Sequence, residues 1–335
     1  MEYYVKLRDV RDVADLREKV RVWEGMGVSG VVVSDHLYTS RGSPSTAATQ
    51  YRHDPFVLLG ALGALSANLG LAALVANVGY GNPYLTVRHF AELARLFGGQ
   101  RVYAGLGAGW NGEEFAALGM DMPPHRDRVE RLAQSAAMAR ALFDSGIVTL
   151  DGGSLTLRQA PLSPSIDEPP RLAVGGGSFA VVRIAASYAD HFDFDAPSHR
   201  LPLTRSLDGA ATRARDLRRR MLTTFDDLVT VRRYLHEQLS AQGRAVDEVT
   251  TSLNISALQV RDNGLGNWFE SLNQTYALKL DQGDAAEACE SSPFFLLGSL
   301  AAIKEQLGRH AALLGLKFVV LPDSPDTECL LRHLT

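Results

Sequence analysis

Apolar positions along the chain repeat in two patterns that follow one another. Residues 12–24, 84–97 and 300–314 are amphipathic at helical spacing, and each stretch runs into glycine: Gly25-Met26-Gly27, Gly98-Gly99 and Gly315. Glycine just past a helix supplies the left-handed conformation that closes it. After each stop comes a short apolar run without clean alternation, as in Gly30-Val31-Val32-Val33, Arg101-Val102-Tyr103-Ala104-Gly105-Leu106 and Lys317-Phe318-Val319-Val320-Leu321. Runs of this kind are strands covered on both faces. The pattern predicts strands near 3–7, 30–34, 71–76, 101–106, 171–174, 191–194, 250–258 and 316–321, with helices between them. Helix and strand in alternation imply a parallel sheet. Eight such units predict an α/β fold closed as a (β/α)8 barrel, with chemistry at the C-terminal ends of the strands. The whole chain, 1–335, reads as one barrel domain. Three segments exceed ordinary connections and read as insertions or lids: 37–53 after the second strand, 145–170 after the fourth and 195–225 after the sixth.

Composition narrows this picture. The chain is 46% apolar and 21% charged over 335 residues, enough to bury a core without cross-links. A net charge of −4 lacks the basic footprint of a nucleic-acid binder. Residues 55–87 hold no charged side chain, a stretch longer than the ~20 residues a membrane span needs. Gly60, Gly63, Asn68, Gly70, Asn77, Gly79, Gly81 and Pro83 break it into a buried helix and a core strand. No membrane span is expected. Two cysteines, Cys289 and Cys329, and a start without a signal-peptide apolar region fit the cytoplasm. The charge-poor helices at 55–68 and 84–97 suggest pairing in a homodimer.

Candidate chemistry collects at strand ends. Ser34-Asp35-His36 closes the second strand, with a histidine beside an acid. Gly107-Ala108-Gly109-Trp110-Asn111-Gly112 has the spacing of a dinucleotide fingerprint, but no second strand with an acid arrives about 20 residues on. What survives is a glycine-rich strand end that a ligand can approach closely. Gly175-Gly176-Gly177-Ser178 follows another strand and precedes a helix, a place where bare amides make an anion site for a phosphate. Asp190-His191-Phe192-Asp193-Phe194-Asp195 has metal-ligand residue types, yet neighbours on a strand face opposite ways. Arg213, Arg215, Arg218, Arg219 and Arg220 crowd one helical stretch, either as a solvated face or as a dock for an acidic group.

Taken together, these segments resemble the bacterial luciferase-like flavin and deazaflavin oxidoreductases. The resemblance rests on Ser34-Asp35-His36, on 74–84 leading through Asn82-Pro83 into a helix, on GLGAGWNGEEFAALG at 105–119 and on LAVGGGSFAVVRIAASYAD at 172–190. It implies a barrel with the flavin ring at its mouth, backed by a bulge in the third strand with a non-proline cis peptide matching Ala73-Leu74. It further implies that Gly175, Gly176, Gly177 and Ser178 hold the cofactor phosphate, while Gly107, Gly109, Trp110 and Asn77 line the pocket. His36 matches the family's active-site histidine, as proton donor or charge stabiliser with Asp35 orienting it. Trp110 follows Gly109 directly, so the glutamate that hydride enzymes of this family carry after the fourth strand matches Glu113 only with a shift.

The wording of the third and fourth blocks is similar to the branch that uses coenzyme F420. That branch implies hydride transfer between the deazaflavin C5 and a small organic substrate, a natural-product intermediate by family analogy. The alternative is a monooxygenase using reduced FMN, which needs a separate reductase as partner. A third reading is a barrel that binds no flavin.

Overall fold

A computed structural model describes residues 1–39, 50–163, 165–198, 209–261, 268–270, 272, 274 and 282–334. Among them eight parallel strands close a barrel: β1 (Glu2–Lys6), β2 (Gly30–Val33), β3 (Gly70–Asn77), β4 (Val102–Gly107), β5 (Arg171–Gly176), β6 (His191–Phe194), β7 (Thr250–Asn254) and β8 (Phe318–Pro322). Each pairs with its neighbour in chain order, and β8 returns to β1 with Tyr4 opposite Val320. The first helices are α1 (Val13–Gly25), α2 (Pro55–Leu65), α3 (Pro83–Phe97), α4 (Gly112–Ala117), α5 (His125–Ser145) and α6 (Phe179–Tyr188). After them come α7 (Gly209–Met221), α8 (Phe225–Ala241), α9 (Gln282–Ser291), α10 (Leu300–Arg309) and α11 (Pro325–Leu331).

Strand alternation sorts the core into two parts. Outward residues such as Val31, Val33, Leu71, Leu106 and Phe192 pack under the helices in the larger apolar cluster. Inward residues Tyr4, Val32, Tyr103, Phe318 and Val320 fill the barrel. Tyr4 stacks on Phe318 with ring centres 4.1 Å apart, so the lower barrel is solid. Chemistry is therefore confined to the upper end, where the inward positions turn polar.

Three departures from the sequence reading stand out. The strand expected over 250–258 is two strands: β7 stops at Asn254, and Ala257–Val260 pairs with Phe295–Gly298 outside the barrel. Leu258, Phe295 and Leu296 are buried there in a second layer, so the apolar run continues although the chain has left the sheet. The helix expected over 300–314 is α-helical to Arg309 and widens into a π turn over His310–Leu314. The cis peptide joins Leu74 and Val75, one residue beyond the expected Ala73-Leu74. Pairing of β3 with β4 holds through Ala73 opposite Ala104 and resumes with Ala76 opposite Leu106, so residues 74 and 75 form the bulge.

The insertions are small structures of their own. Segment 37–53 contains an antiparallel pair of Tyr38–Thr39 with Gln50–Tyr51, and its residues 40–49 lie outside the described residues. Ile147–Leu150 pairs with Leu157–Pro161 in the segment after β4. Segment 195–225 carries α7, and its residues 199–208 are likewise outside the described residues.

Candidate active site

A cavity of about 560 Å³ opens at the C-terminal ends of the strands. It is of the size that holds small-molecule ligands. Ser34, Asp35 and His36 after β2, Leu74, Val75 and Asn77 of β3, Gly107 to Trp110 after β4 and Gly175 to Ser178 after β5 contribute to its lining. The sequence-predicted residues meet there, with two exceptions. Ala73 lies below the bulge and Glu113 lies outside the lining. The carboxylate that reaches the cavity is Glu114, one position further on.

Local sequence explains the substitution of one glutamate by the other. Asn111 caps α4, its side chain accepting from the Glu113 amide at 3.2 Å. Starting the helix there turns Glu114 and Phe115 inward, both fully buried. The Glu114 carboxylate accepts from the Tyr80 hydroxyl at 2.8 Å and from the Leu37 amide at 3.0 Å, and it meets His36 Nδ1 at 3.0 Å. Burial works to raise its pKa, but these hydrogen bonds, led by His36, outweigh burial and hold it below the ordinary glutamate value. A carboxylate at Nδ1 fixes the tautomer that leaves Nε2 as the working nitrogen of the ring. The Trp110 ring stands edge-on to His36 at 5.8 Å between centres.

The side chain of Asp35 turns to β3. Its carboxylate accepts the Asn77 amide at 2.9 Å and ties the end of β3 to the end of β2. Burial pushes its pKa up. The Asn77 side chain accepts from the Gly79 amide at 2.9 Å and shapes the turn carrying Tyr80. Sequence reasoning missed both Tyr80 and Glu114. Tyr80 sits between Gly79 and Gly81, and nothing local marks its hydroxyl as buried.

The glycines serve the barrel as well as the cavity. A methyl group on Gly107 would lie 2.2 Å from Val75 Cγ2, and one on Gly175 would lie 2.9 Å from Val75 Cγ1. The bulged valine is thus seated between two strands that have no side chain there. What remains beside it is a slot walled by backbone. Ser178 caps α6 by accepting from the Val181 amide at 3.3 Å, so the turn at 175–178 ends on a helix N-terminus as expected. From α5, Arg128 donates to the Gly109 carbonyl and Arg131 Nε donates to the Val78 carbonyl at 2.9 Å, holding the loops after β4 and β3.

The opposite wall is charged. His191, Asp193 and Asp195 share the inner side of β6 and its extension. His191 Nε2 is 2.9 Å from the Ser252 hydroxyl, which donates to Asp193 at 2.6 Å. Burial lowers the His191 pKa to about 3, so the ring is neutral, and burial raises Asp193 to about 7. Lys6, at the end of β1, is lowered to about 7, mainly by burial and then by Arg8 and Arg220. Asp195 is bound by Arg220 at 2.9 Å and Arg219 at 3.1 Å, and Asp216 of α7 pairs with the same two arginines. These pairings turn Arg219 and Arg220 inward rather than leaving them on a solvated face. The side chain of Arg213 lies outside the described residues. Among the described residues, no group of three His, Cys, Asp or Glu side chains is placed to hold a metal ion, and no helix is long and apolar enough to cross a membrane.

Comparison with known proteins places this geometry. The model of the family described as luciferase-like monooxygenase matches residues 5–257. An F420-dependent glucose-6-phosphate dehydrogenase from Beutenbergia cavernae is 32% identical over 173 residues, covering 50% of this chain and 48% of the relative. One from Nakamurella multipartita is 28% identical, again over 50% and 48%. The matches thus span about half the length of these relatives. Among solved structures, an F420-dependent secondary alcohol dehydrogenase in complex with an F420-acetone adduct superposes with a TM-score of 0.75 at 16% identity, over 99% of this chain and 96% of that one. A monooxygenase from Streptomyces bottropensis gives 0.73 at 15% identity, over 99% and 97%. At such identities the likeness is one of fold.

Proposed function

Because the chain belongs to the luciferase-like monooxygenase family, we propose that its cavity is the active site of a coenzyme F420-dependent oxidoreductase acting on a small organic substrate. The observation that carries this reading is the arrangement of Glu114, His36 and Tyr80 at the mouth of a glycine-walled slot. The residues present fit a planar ring. Val75 fills the space that side chains at 107 and 175 would take, and Leu74 and Val75 form a continuous backing. The turn at 175–178 before α6 suits a phosphate. When bound, a deazaflavin supplies or accepts hydride at its C5.

This chain's own residues then have separable tasks. Glu114 holds the His36 ring and compensates its charge when the ring carries a proton. His36 Nε2 gives or takes the proton at the substrate oxygen or nitrogen. Trp110 limits water beside the imidazole. Arg128 and Arg131 fix the loops on which Trp110 and Tyr80 stand. A reducing, cytoplasmic setting suits the two unpaired cysteines, Cys289 and Cys329. We assign a homodimer contact to α2 and α3, where Val57, Leu85 and Leu96 are exposed.

The test is a fluorescence titration of the protein with F420 and FMN in parallel, each oxidised and reduced, repeated on His36→Ala. Tight F420 binding, weak FMN binding and loss of turnover without loss of F420 affinity in the variant are expected. Preference for reduced FMN would move the chain to the monooxygenases and add a separate reductase to its partners. Binding of neither would leave a barrel without flavin.

A further inference from the structure

The cavity contains polar capacity that the protein itself does not use. In barrel order β6 lies four strands from β2, directly across the mouth. Lys6 ends β1, Asp193 lies on β6 and Asn254 ends β7, and all three line the cavity. Asp193 and Asn254 are each only 9% exposed. One oxygen of Asp193 is taken by Ser252. Among the described residues, its other oxygen, the Lys6 ammonium and the Asn254 amide have no hydrogen-bond or ion-pair partner. Three strands thus bring an ammonium donor, a carboxylate acceptor and an amide that can do both into the cavity.

Charge decides what such a face accepts. Lys6 and Asp193 are of opposite charge, while Arg219 and Arg220 are already paired with Asp195 and Asp216. The wall has no net charge to offer an anion, and an incoming phosphate or carboxylate would have to compete with Asp195 and Asp216 for the arginines. An uncharged group with donors and acceptors side by side pairs with Lys6, Asp193 and Asn254 without breaking anything. A ligand lacking those groups displaces their water and replaces none of its bonds.

We propose that Lys6, Asp193 and Asn254 form a specificity subsite for an uncharged, oxygen-rich end of the substrate, such as a polyol, hydroxy-carbonyl or amide, in preference to a phosphate or carboxylate. This deepens the function proposed above and rests on the cavity being the substrate site. The uncharged pyrimidine edge of the cofactor has the same hydrogen-bonding chemistry, so the experiment separates the two sources.

The probes are two matched pairs, glucose with glucose 6-phosphate and glyceramide with glycerate. Their binding to the F420-loaded protein is measured by saturation-transfer NMR. The uncharged member of each pair is expected to bind at least about tenfold more tightly. Lys6→Met and Asn254→Leu, each checked by thermal melting, are expected to weaken binding of the uncharged member of each pair by about tenfold while F420 affinity stays within about twofold. Tighter binding of the charged members, or no binding of the uncharged ones, overturns the proposal. So does a tenfold loss of F420 affinity in both variants, which would give the wall to the cofactor ring. Failure of the unaltered protein to bind F420 would sink the function proposed above instead. Probe binding to the cofactor-free protein then decides the subsite by the same criteria.

Discussion

On α4 two adjacent glutamates meet opposite fates because one residue is about 100° of helix. Glu114 is buried against His36, Tyr80 and the Leu37 amide, while Glu113 lies outside the cavity lining. The resemblance to hydride enzymes points to Glu113, whereas the Asn111 cap sets the helix so that Glu114 lines the cavity. Glu114→Gln keeps the shape but removes the charge that compensates His36. Turnover is expected to fall by roughly 10²-fold, the lower range for general acid–base catalysis. F420 affinity should hardly change, and Glu113→Gln should retain turnover within about threefold. Steady-state kinetics on both variants check this, and an equal loss in the two would remove Glu114 from its role. Neither carboxylate announces itself in the sequence: both are glutamates on a short helix, and only the cap fixes the helix phase.

Among the elements, β3 and its neighbours show why glycine positions were legible and their purpose was not. The runs at 105–109 and 175–177 are conspicuous in the sequence, and the expectation was room for a ligand. The bulge at 74–75 supplies a second reason, since Val75 fills the space beside Gly107 and Gly175. Gly107→Ala sets a methyl 2.2 Å from Val75 Cγ2, on a branched side chain that cannot swing away. Overpacking of this kind costs about 1–3 kcal/mol. Val75→Ala should relieve it, so the double variant is expected to recover at least half of the loss in denaturant unfolding. Additive losses in the double variant would show that Val75 is not the obstacle. The bulge itself could be placed only to within one residue, because Ala73-Leu74-Val75-Ala76 is apolar throughout and register is set by the partner strand.

For the molecule as a whole, α2 and α3 present an apolar face beyond the core they cover. Val57 is 76% exposed and Leu96 67%, and α2 carries no charged side chain to solvate its surface. Exposed apolar side chains grouped on neighbouring helices favour association. Sedimentation at micromolar concentration is expected to report a dimer, and Val57→Glu with Leu96→Glu a monomer of unchanged melting temperature. A monomeric unaltered protein would remove this assignment.

The sequence by itself determined the barrel, through helical periodicity, glycine stops and apolar strands in repeated order, because these signals are local. It also determined which strand ends were chemically notable, since His36, the 107–110 run and the 175–178 turn lie beside the strands that carry them. Tertiary structure alone decided what meets across the mouth. Glu114 reaches His36 from 78 positions away, and Lys6 comes near Asp193 only because β8 closes on β1. It also decided that 250–258 leaves the sheet at Asn254, where an apolar run reads the same in either layer. Closure of the barrel is a long-range event, and the pairings it creates have no counterpart in local pattern.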